Sequence, residues 1–324
     1  MKGCAATALL IGLAGGVPAG ANSWDKMPSL PKPSAGFACG AADGQLVVIG
    51  GTNWDGGRKN WLRGAFRLDP ESMTWKPLES PDQPLAYALA GTIGNRLIVA
   101  GGSTGDAPFS GMIEVEGGHL TVHAARGIKV PAVVCAGGLI GNEFVGAGGS
   151  DDAGHTRGFR REAFAWNVTT GGLRALAAYP GAAFAVAGSA AAGGELLVFG
   201  GCTWNDASQS VSNFPDSYAY SAARNAWRRL RPLPYAVRGL AAVRLDDGHL
   251  YLAGGYKDET EGFVDRAFVY VIAGDRYTPA APLPYRGMVG LVESGGCVYC
   301  LGGEDGLRHR SDAVYRARIA QLLP

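Results

Sequence analysis

The chain has 324 residues, 47% of them hydrophobic and 18% charged, a composition that excludes an intrinsically disordered protein. Its 29 basic and 28 acidic side chains give a formal charge of +1, which predicts neither nucleic acid nor an anionic membrane as a partner. Glycine is in excess, at 51 residues where about 7% of a chain is usual. Without a collagen period this excess indicates many tight turns or bulges in a folded protein.

The first 21 residues are typical of a secretory signal peptide. Lys2 precedes an apolar run from Ala5 to Ala14, and the small residues Ala19, Gly20 and Ala21 follow. The run is too short to span a bilayer, and no later stretch is long and apolar enough to do so. We therefore expect cleavage after Ala21 and a periplasmic or secreted protein; an uncleaved, disordered N-terminus is the alternative.

A repeated unit follows in the rest of the chain. An apolar strand that ends in two glycines occurs six times, and the second glycines lie 47 to 54 residues apart. The six segments are Leu46–Gly51, Leu97–Gly102, Phe144–Gly149, Leu196–Gly201, Leu250–Gly255 and Val298–Gly303. A strand of small residues precedes each diglycine, and an alternating strand and often a tryptophan strand follow. Four strands per unit and a period near fifty predict a β-propeller blade.

The order of strands resembles the kelch repeat, and the resemblance covers residues 22–324. It implies an all-β, six-bladed kelch β-propeller that forms one domain. The sixth unit ends before its outer strand. The segment Ser23–Pro28 precedes the first unit and is not part of it. We expect this N-terminal segment to close the sixth blade and so to remove the open edges of the ring.

The cysteines and histidines predict neither a disulfide framework nor a metal site. Five cysteines remain after Ala21, an odd number spread over the chain. Cys297 and Cys300 form a C-x-x-C within an apparent strand, where residues three apart point to opposite faces. We therefore expect these two side chains to act as small buried hydrophobes. The five histidines show no grouping of metal ligands, and no cofactor is predicted.

The topology of such a blade predicts where a site lies. With strands a to d in order, the b–c loop and the d–a connection emerge on one face of the ring. The b–c loops here are long and differ from blade to blade, as on a scaffold that carries specific loops. The residue after each diglycine therefore faces this side; these residues are Thr52, Ser103, Ser150, Cys202, Tyr256 and Glu304.

Glu304 is the single acid among those six residues, and Arg310 follows it on the same loop. A carboxylate there is suited to proton transfer, and a guanidinium is suited to binding a substrate carboxylate. The alternative is an ion pair that only holds the loop.

The segment from Gly303 to Val314 resembles the Gly-Glu-x5-Arg-(Ser/Thr)-Asp-Ala-Val segment of the bacterial sialic acid mutarotases, the N-acetylneuraminate epimerases. These are exported six-bladed propellers of the kelch type. The loop from Gly50 to Trp61 resembles a second loop of that family, although the order of the blades differs and matches a cyclically permuted branch. The resemblance implies that Glu304 and Arg310 are the catalytic pair of an isomerase.

Further substrate-binding candidates lie on the same face. Arg238 and Arg286 follow Leu-Pro on d–a connections, where they either clamp a carboxylate or serve the fold. Asn53, Trp54 and Lys59 of the first blade are expected to bind hydroxyl or acetamido groups.

The function implied by the resemblance is interconversion of the α and β anomers of N-acetylneuraminic acid or a related sugar acid. Glu304 would transfer the proton during ring opening, without a cofactor. The alternative is a non-catalytic kelch module that binds a carbohydrate or a protein. A sialidase is disfavoured, because the one Asp-box-like segment, Ser150 to Arg157, lacks its final aromatic residue.

Overall fold

The protein is a six-bladed β-propeller built from short antiparallel strands. The computed structural model describes residues 23–69, 71–123, 133–152, 154 and 157–323. The leader predicted in residues 1–21 lies outside the described residues. Within the described ranges, no helix is long and apolar enough to cross a membrane.

The described residues form 28 strands and two short helical turns. The strands are β1 (Asp25–Met27), β2 (Ala38–Ala42), β3 (Gln45–Ile49), β4 (Thr52–Asp55), β5 (Arg58–Trp61), β6 (Ala65–Asp69), β7 (Thr74–Pro77), β8 (Leu89–Ile93), β9 (Arg96–Ala100), β10 (Met112–Glu116), β11 (His119–His123), β12 (Ala136–Ile140), β13 (Glu143–Ala147), β14 (Ala163–Asn167), β15 (Leu173–Leu176), β16 (Gly188–Ala192), β17 (Glu195–Phe199), β18 (Cys202–Asn205), β19 (Ser210–Asn213), β20 (Ser217–Ser221), β21 (Ala226–Arg229), β22 (Ala241–Arg244), β23 (His249–Ala253), β24 (Ala267–Val271), β25 (Arg276–Pro279), β26 (Met288–Ser294), β27 (Cys297–Gly306) and β28 (His309–Arg318). A 3₁₀-helix spans Ile272–Gly274, and α1 spans Ile319–Leu322.

Six of the sheets have four strands each and are the blades. Their orders are β2-β3-β6-β7, β8-β9-β10-β11, β12-β13-β14-β15, β16-β17-β20-β21, β22-β23-β24-β25 and β26-β27-β28-β1. The innermost strands of successive blades contact each other, and β26 of blade six contacts β2 of blade one. The six repeats predicted from the sequence are therefore six blades of a closed ring.

The N-terminal strand closes blade six, as expected. β1 pairs antiparallel with β28, with Asp25 opposite Arg316 and Met27 opposite Val314. The indole Nε1 of Trp24 donates to the carbonyl of Pro282, at 2.8 Å. In blade one, the indole of Trp75 makes the same kind of bond to the carbonyl of Pro28. Trp24 is therefore the outer-strand tryptophan that the sixth repeat lacks in sequence. The pairing removes an open sheet edge.

The core lies between the blades. One cluster of buried side chains fills each of the six interfaces between neighbouring blades in the described part of the chain. Each second strand is packed on both faces, which explains why its sequence is continuously apolar and does not alternate. In β3, for example, the side chains from Leu46 to Ile49 are all buried.

The glycine pairs let the backbone of neighbouring segments approach closely. All twelve glycines of the six pairs have positive φ, which side-chain-bearing residues seldom adopt. In blade six, a Cβ atom on Gly303 would lie 2.3 Å from the carbonyl oxygen of Met288. The diglycine thus allows the d–a connection to pack closely against the end of the second strand. Part of the glycine excess is therefore a requirement of the fold.

The cysteine pair in β27 has the arrangement expected of a strand. Cys300 is buried in the cluster between blades five and six, whereas Cys297 packs against the cluster between blades six and one. Among the described residues no cysteine forms a disulfide, and no three His, Cys, Asp or Glu side chains are grouped to hold a metal ion.

We expect Cys202 and Cys300 to resist thiol reagents in the folded protein. Burial raises the pKa of the Cys202 thiol to about 11 and that of Cys300 to about 12, and the thiolate is the reactive form. At pH 8 Ellman's reagent should label neither side chain in the folded protein, and both should be labelled after unfolding in guanidinium. Mass spectrometry of the labelled peptides measures this, with half-buried Cys297 as the internal reference. Rapid labelling of either residue at pH 8 would contradict the packing described here.

Candidate functional site

The d–a connections and the b–c loops meet on one face of the ring. The residue after each diglycine pairs with a residue of the d–a connection that enters the same blade. The pairs are Thr52 with Ala35, Ser103 with Ala86, Ser150 with Val133, Cys202 with Ala185, Tyr256 with Arg238 and Glu304 with Met288. In the part of the chain that the structure describes, three blades extend this face with hairpins: β4–β5 in blade one, β18–β19 in blade four and the ends of β27 and β28 in blade six.

A pocket of about 340 Å³ lies at the centre of this face. Residues of the d–a connections of all six blades line it, together with Gly303 and Glu304. This volume lies at the lower end of the range of about 300–1,000 Å³ usual for small-molecule sites. Among the described residues that line it, Glu304 is the one with a charged side chain; the others are apolar, glycine, Cys135 or Tyr87. The pocket therefore presents a single carboxylate against apolar and backbone groups.

Arg310 lies next to that carboxylate. It stands opposite Glu304 in the register of β27 and β28, and its Nη1 is 3.1 Å from Glu304 Oε1. The Arg310 side chain is 5% exposed and that of Glu304 is 26% exposed. Arg310 Nη1 also donates to the carbonyl of His309 at 2.9 Å, whereas its buried Nε has no partner among the described residues. The predicted pair is thus in contact, with the guanidinium covered and the carboxylate partly exposed.

Two further contacts fix the backbone around Glu304. The hydroxyl of Tyr285 donates to the carbonyl of Gly302, at 2.7 Å. Burial raises the pKa of Tyr285 well above its ordinary range, so this phenol stays protonated and remains a donor. On the other side of Glu304, the carboxylate of Asp305 contacts Nδ1 of His309. The residues on both sides of Glu304 are therefore held by neighbouring side chains.

The hairpin of blade one lies against this arrangement. Lys59 Nζ is 5.0 Å from the centre of the Trp61 ring and 5.2 Å from that of Tyr87, a residue of the pocket wall. The hydroxyl of Tyr87 is 3.3 Å from Thr52 Oγ1. Lys59 thus brings a positive charge to the edge of the pocket through a cation–π contact. Tyr87 was not among the residues that the sequence singled out, because nothing in its local sequence sets it apart.

Asn53 and Trp54 belong to the same hairpin. The Asn53 side-chain oxygen accepts a hydrogen bond from Asn60 Nδ2 at 3.2 Å, across the two strands. The guanidinium of Arg308 stacks on Trp54 with its carbon 5.3 Å from the ring centre, and Trp54 Nε1 is buried without a partner among the described residues. The contact between Arg308 and Trp54 joins the hairpins of blades one and six. Neither residue lines the central pocket.

Arg238 and Arg286 take different positions. Arg238 stacks on Tyr256 at 4.2 Å and donates to Asn213 Oδ1 at 3.1 Å, so it joins the loops of blades four and five. Arg286 is exposed. Neither arginine lines the central pocket. In the register of the blades Arg238 corresponds to Met288, which pairs with Glu304 as Arg238 pairs with Tyr256.

Comparison with known proteins finds likeness to the Kelch motif and to kelch-repeat proteins. Residues 33–81 match the Kelch motif. An F-box/kelch-repeat protein of Arabidopsis thaliana is 35% identical over 81 residues, which are 25% of this chain and 21% of that protein. Mouse Kelch-like protein 35 is 27% identical over 277 residues, which are 83% of this chain and 43% of the relative. The chain thus spans less than half the length of these relatives. With the architecture above, these matches show a six-bladed propeller of the kelch type.

Proposed function

We propose that this kelch-type propeller binds a small sugar acid in its central pocket and catalyses the interconversion of its α and β anomers. The observation that carries the proposal is the position of Glu304, which has the single charged side chain among the described residues on the wall of a pocket of about 340 Å³. The likeness of its loop to the sialic acid mutarotases supports the same assignment. The leader predicted in residues 1–21 adds export from the cytoplasm to the proposal.

Anomerisation requires the transfer of one proton and neither an oxidant nor a reductant. In ring opening, the anomeric hydroxyl loses a proton, the bond between the anomeric carbon and the ring oxygen breaks, and the ring oxygen gains a proton. Both oxygens are attached to the same carbon, so one carboxylate beside that carbon can take the proton from the first and give it to the second. Closure on the opposite face of the carbonyl reverses these steps and yields the other anomer.

Within this proposal, the other side chains have supporting roles. Arg310 forms an ion pair with Glu304 and is almost fully covered, so we assign it to holding the carboxylate in place. Lys59, stacked over Tyr87, supplies a positive charge near the pocket for the acid group of the sugar. Apolar walls around a single carboxylate limit the water that competes for the transferred proton.

The test is an anomerisation assay by proton NMR. Crystals of one anomer of N-acetylneuraminic acid are dissolved with and without the protein, and the anomer signals are followed to equilibrium; a panel of other sugar acids and the neutral N-acetylglucosamine is treated likewise. We expect faster equilibration of at least one sugar acid. Equilibration at the spontaneous rate for every compound would reject the enzymatic proposal.

A second candidate is a non-catalytic kelch module. It is favoured by the comparisons, because the relatives that match are named Kelch-like and F-box/kelch-repeat proteins. The hairpins of blades one, four and six would then form a binding surface around the pocket. Binding of a sugar acid, measured by calorimetry, without faster anomerisation would support a carbohydrate-binding module. If the protein neither binds a sugar acid nor speeds its anomerisation, a macromolecular ligand would be favoured.

A further inference from the structure

A ring of backbone hydrogen bonds surrounds the central pocket. Five of the six d–a connections place one residue in the left-handed region of φ, and all five residues line the pocket. They are Gly36 (φ 67°), Tyr87 (61°), Val134 (49°), Val186 (57°) and Gly239 (66°). Left-handed backbone is uncommon for residues with a side chain and is an outlier for valine. The surrounding structure must therefore impose this conformation.

The imposed conformation links each blade to the one before it. In four of the five, the amide of the left-handed residue donates to the carbonyl of its counterpart in the preceding blade. The four bonds are Tyr87 N to Gly36 O at 2.7 Å, Val134 N to Tyr87 O at 3.1 Å, Val186 N to Val134 O at 3.1 Å and Gly239 N to Val186 O at 2.7 Å. A ring with an equivalent left-handed residue in all six blades would contain six such bonds.

The two missing bonds are those of blade six. Its counterpart residue, Val289, lies inside β26 at a register shift between Met288 and Gly290 and does not have positive φ. As a result the amide of Gly36 and the carbonyl of Gly239 have no hydrogen-bond partner among the described residues. Both glycines line the central pocket, as does Glu304 of blade six. One free donor and one free acceptor thus border the blade that carries the carboxylate.

We propose that this break in the ring is the recognition point for the ligand of the central pocket. An oxygen of the ligand accepts from the amide of Gly36, and a hydroxyl of the ligand donates to the carbonyl of Gly239. The inference rests on the proposed function, and it specifies the chemistry of the ligand: neighbouring hydroxyl groups on a compact ring, since a hydroxyl both donates and accepts. An apolar ligand of the same size would leave both backbone groups unsatisfied in a covered site, which is unfavourable.

The arrangement of the hydrogen bonds between the d–a connections supports a preorganised binding site. Three residues with side chains hold a strained backbone so that four bonds can form, whereas both missing bonds flank one blade. In that same blade the residue after the diglycine is the acid. Backbone groups are rigid, so they orient a ligand without the loss of side-chain entropy that a long polar side chain incurs.

The test uses the two glycines as matched controls for each other. Both are left-handed glycines on the pocket wall, but only the Gly239 amide and only the Gly36 carbonyl are bonded within the ring. In the free, isotope-labelled protein, we expect the Gly36 amide to exchange with solvent about 100-fold faster than the Gly239 amide. Saturation with N-acetylneuraminic acid should slow Gly36 exchange about tenfold or more and shift the carbonyl carbon of Gly239 but not that of Gly36.

Each other outcome overturns the inference in a distinguishable way. Equal protection of the two amides in the free protein would show that the ring has no break. Ligand-induced shifts at Gly303 and Asp305 without a change at Gly36 would leave the central pocket as the binding site and reject recognition at the break. Absence of any shift with every sugar acid of the panel would reject the proposed function together with the inference.

Discussion

Replacement of Glu304 by glutamine is expected to slow enzymatic anomerisation by about 10²–10⁴-fold, the usual contribution of a general acid–base group. Glutamine keeps the size of the side chain and a polar oxygen next to Arg310 Nη1, which lies 3.1 Å from Glu304 Oε1 in the native protein. It cannot take up or release a proton. The variant should therefore fold and bind the sugar acid but equilibrate its anomers at a rate close to that of the spontaneous reaction, as followed by proton NMR.

Glu293→Gln is the matched control for this experiment. Glu293 lies in β26 of the same blade, is exposed, and does not line the central pocket. Its replacement makes the same change of charge and should leave the rate unchanged. Equal rates for Glu304→Gln and the native protein, with sugar binding intact, would show that the carboxylate does not carry the proton. Loss of binding in Glu304→Gln would point to a role in holding the ligand.

The blades were predictable because their signals are local and repeated. An apolar run that ends in two glycines needs no tertiary information to be recognised, and six copies fix the number of blades. The place of Trp24 was predictable by counting, because the sixth repeat lacks an outer strand that the N-terminus supplies. The pocket face followed from the order of strands alone, and with it the position of Glu304 after the sixth diglycine.

The surroundings of Glu304 were only partly predictable, because they depend on long-range contacts. Arg238 and Arg286 look alike in sequence, each followed by glycine after Leu-Pro-Tyr. Counted from Leu-Pro, however, Arg286 comes two residues earlier than Arg238, so Met288 takes the equivalent place. The left-handed backbone at Tyr87, Val134 and Val186 has no sequence signal, because hydrogen bonds between blades impose it against local preference.

Replacement of Trp24 by alanine is expected to lower the free energy of unfolding by about 3–5 kcal/mol, the usual cost of removing a buried aromatic side chain. Trp24 is 6% exposed and packs in the cluster between blades five and six. The change also leaves the carbonyl of Pro282 without its indole donor. Because Trp24 directly precedes the strand that closes the ring, we expect the loss to weaken the closure itself. Urea denaturation followed by tryptophan fluorescence and circular dichroism measures it.

Met27→Ala and Lys26→Ala test whether β1 stabilises the ring through its buried side chains or only through its pairing with β28. Met27 is 4% exposed and packs between blades six and one, so its replacement should cost about 2–5 kcal/mol. Lys26 lies between the two on the same strand but is exposed, and its replacement should change stability by less than about 0.5 kcal/mol. Large effects at Trp24 and Met27 with none at Lys26 would mean that β1 stabilises the ring by packing into the interfaces on both sides of blade six. Three equally small effects would mean that β28 tolerates an open edge and that the other four interfaces hold the propeller together.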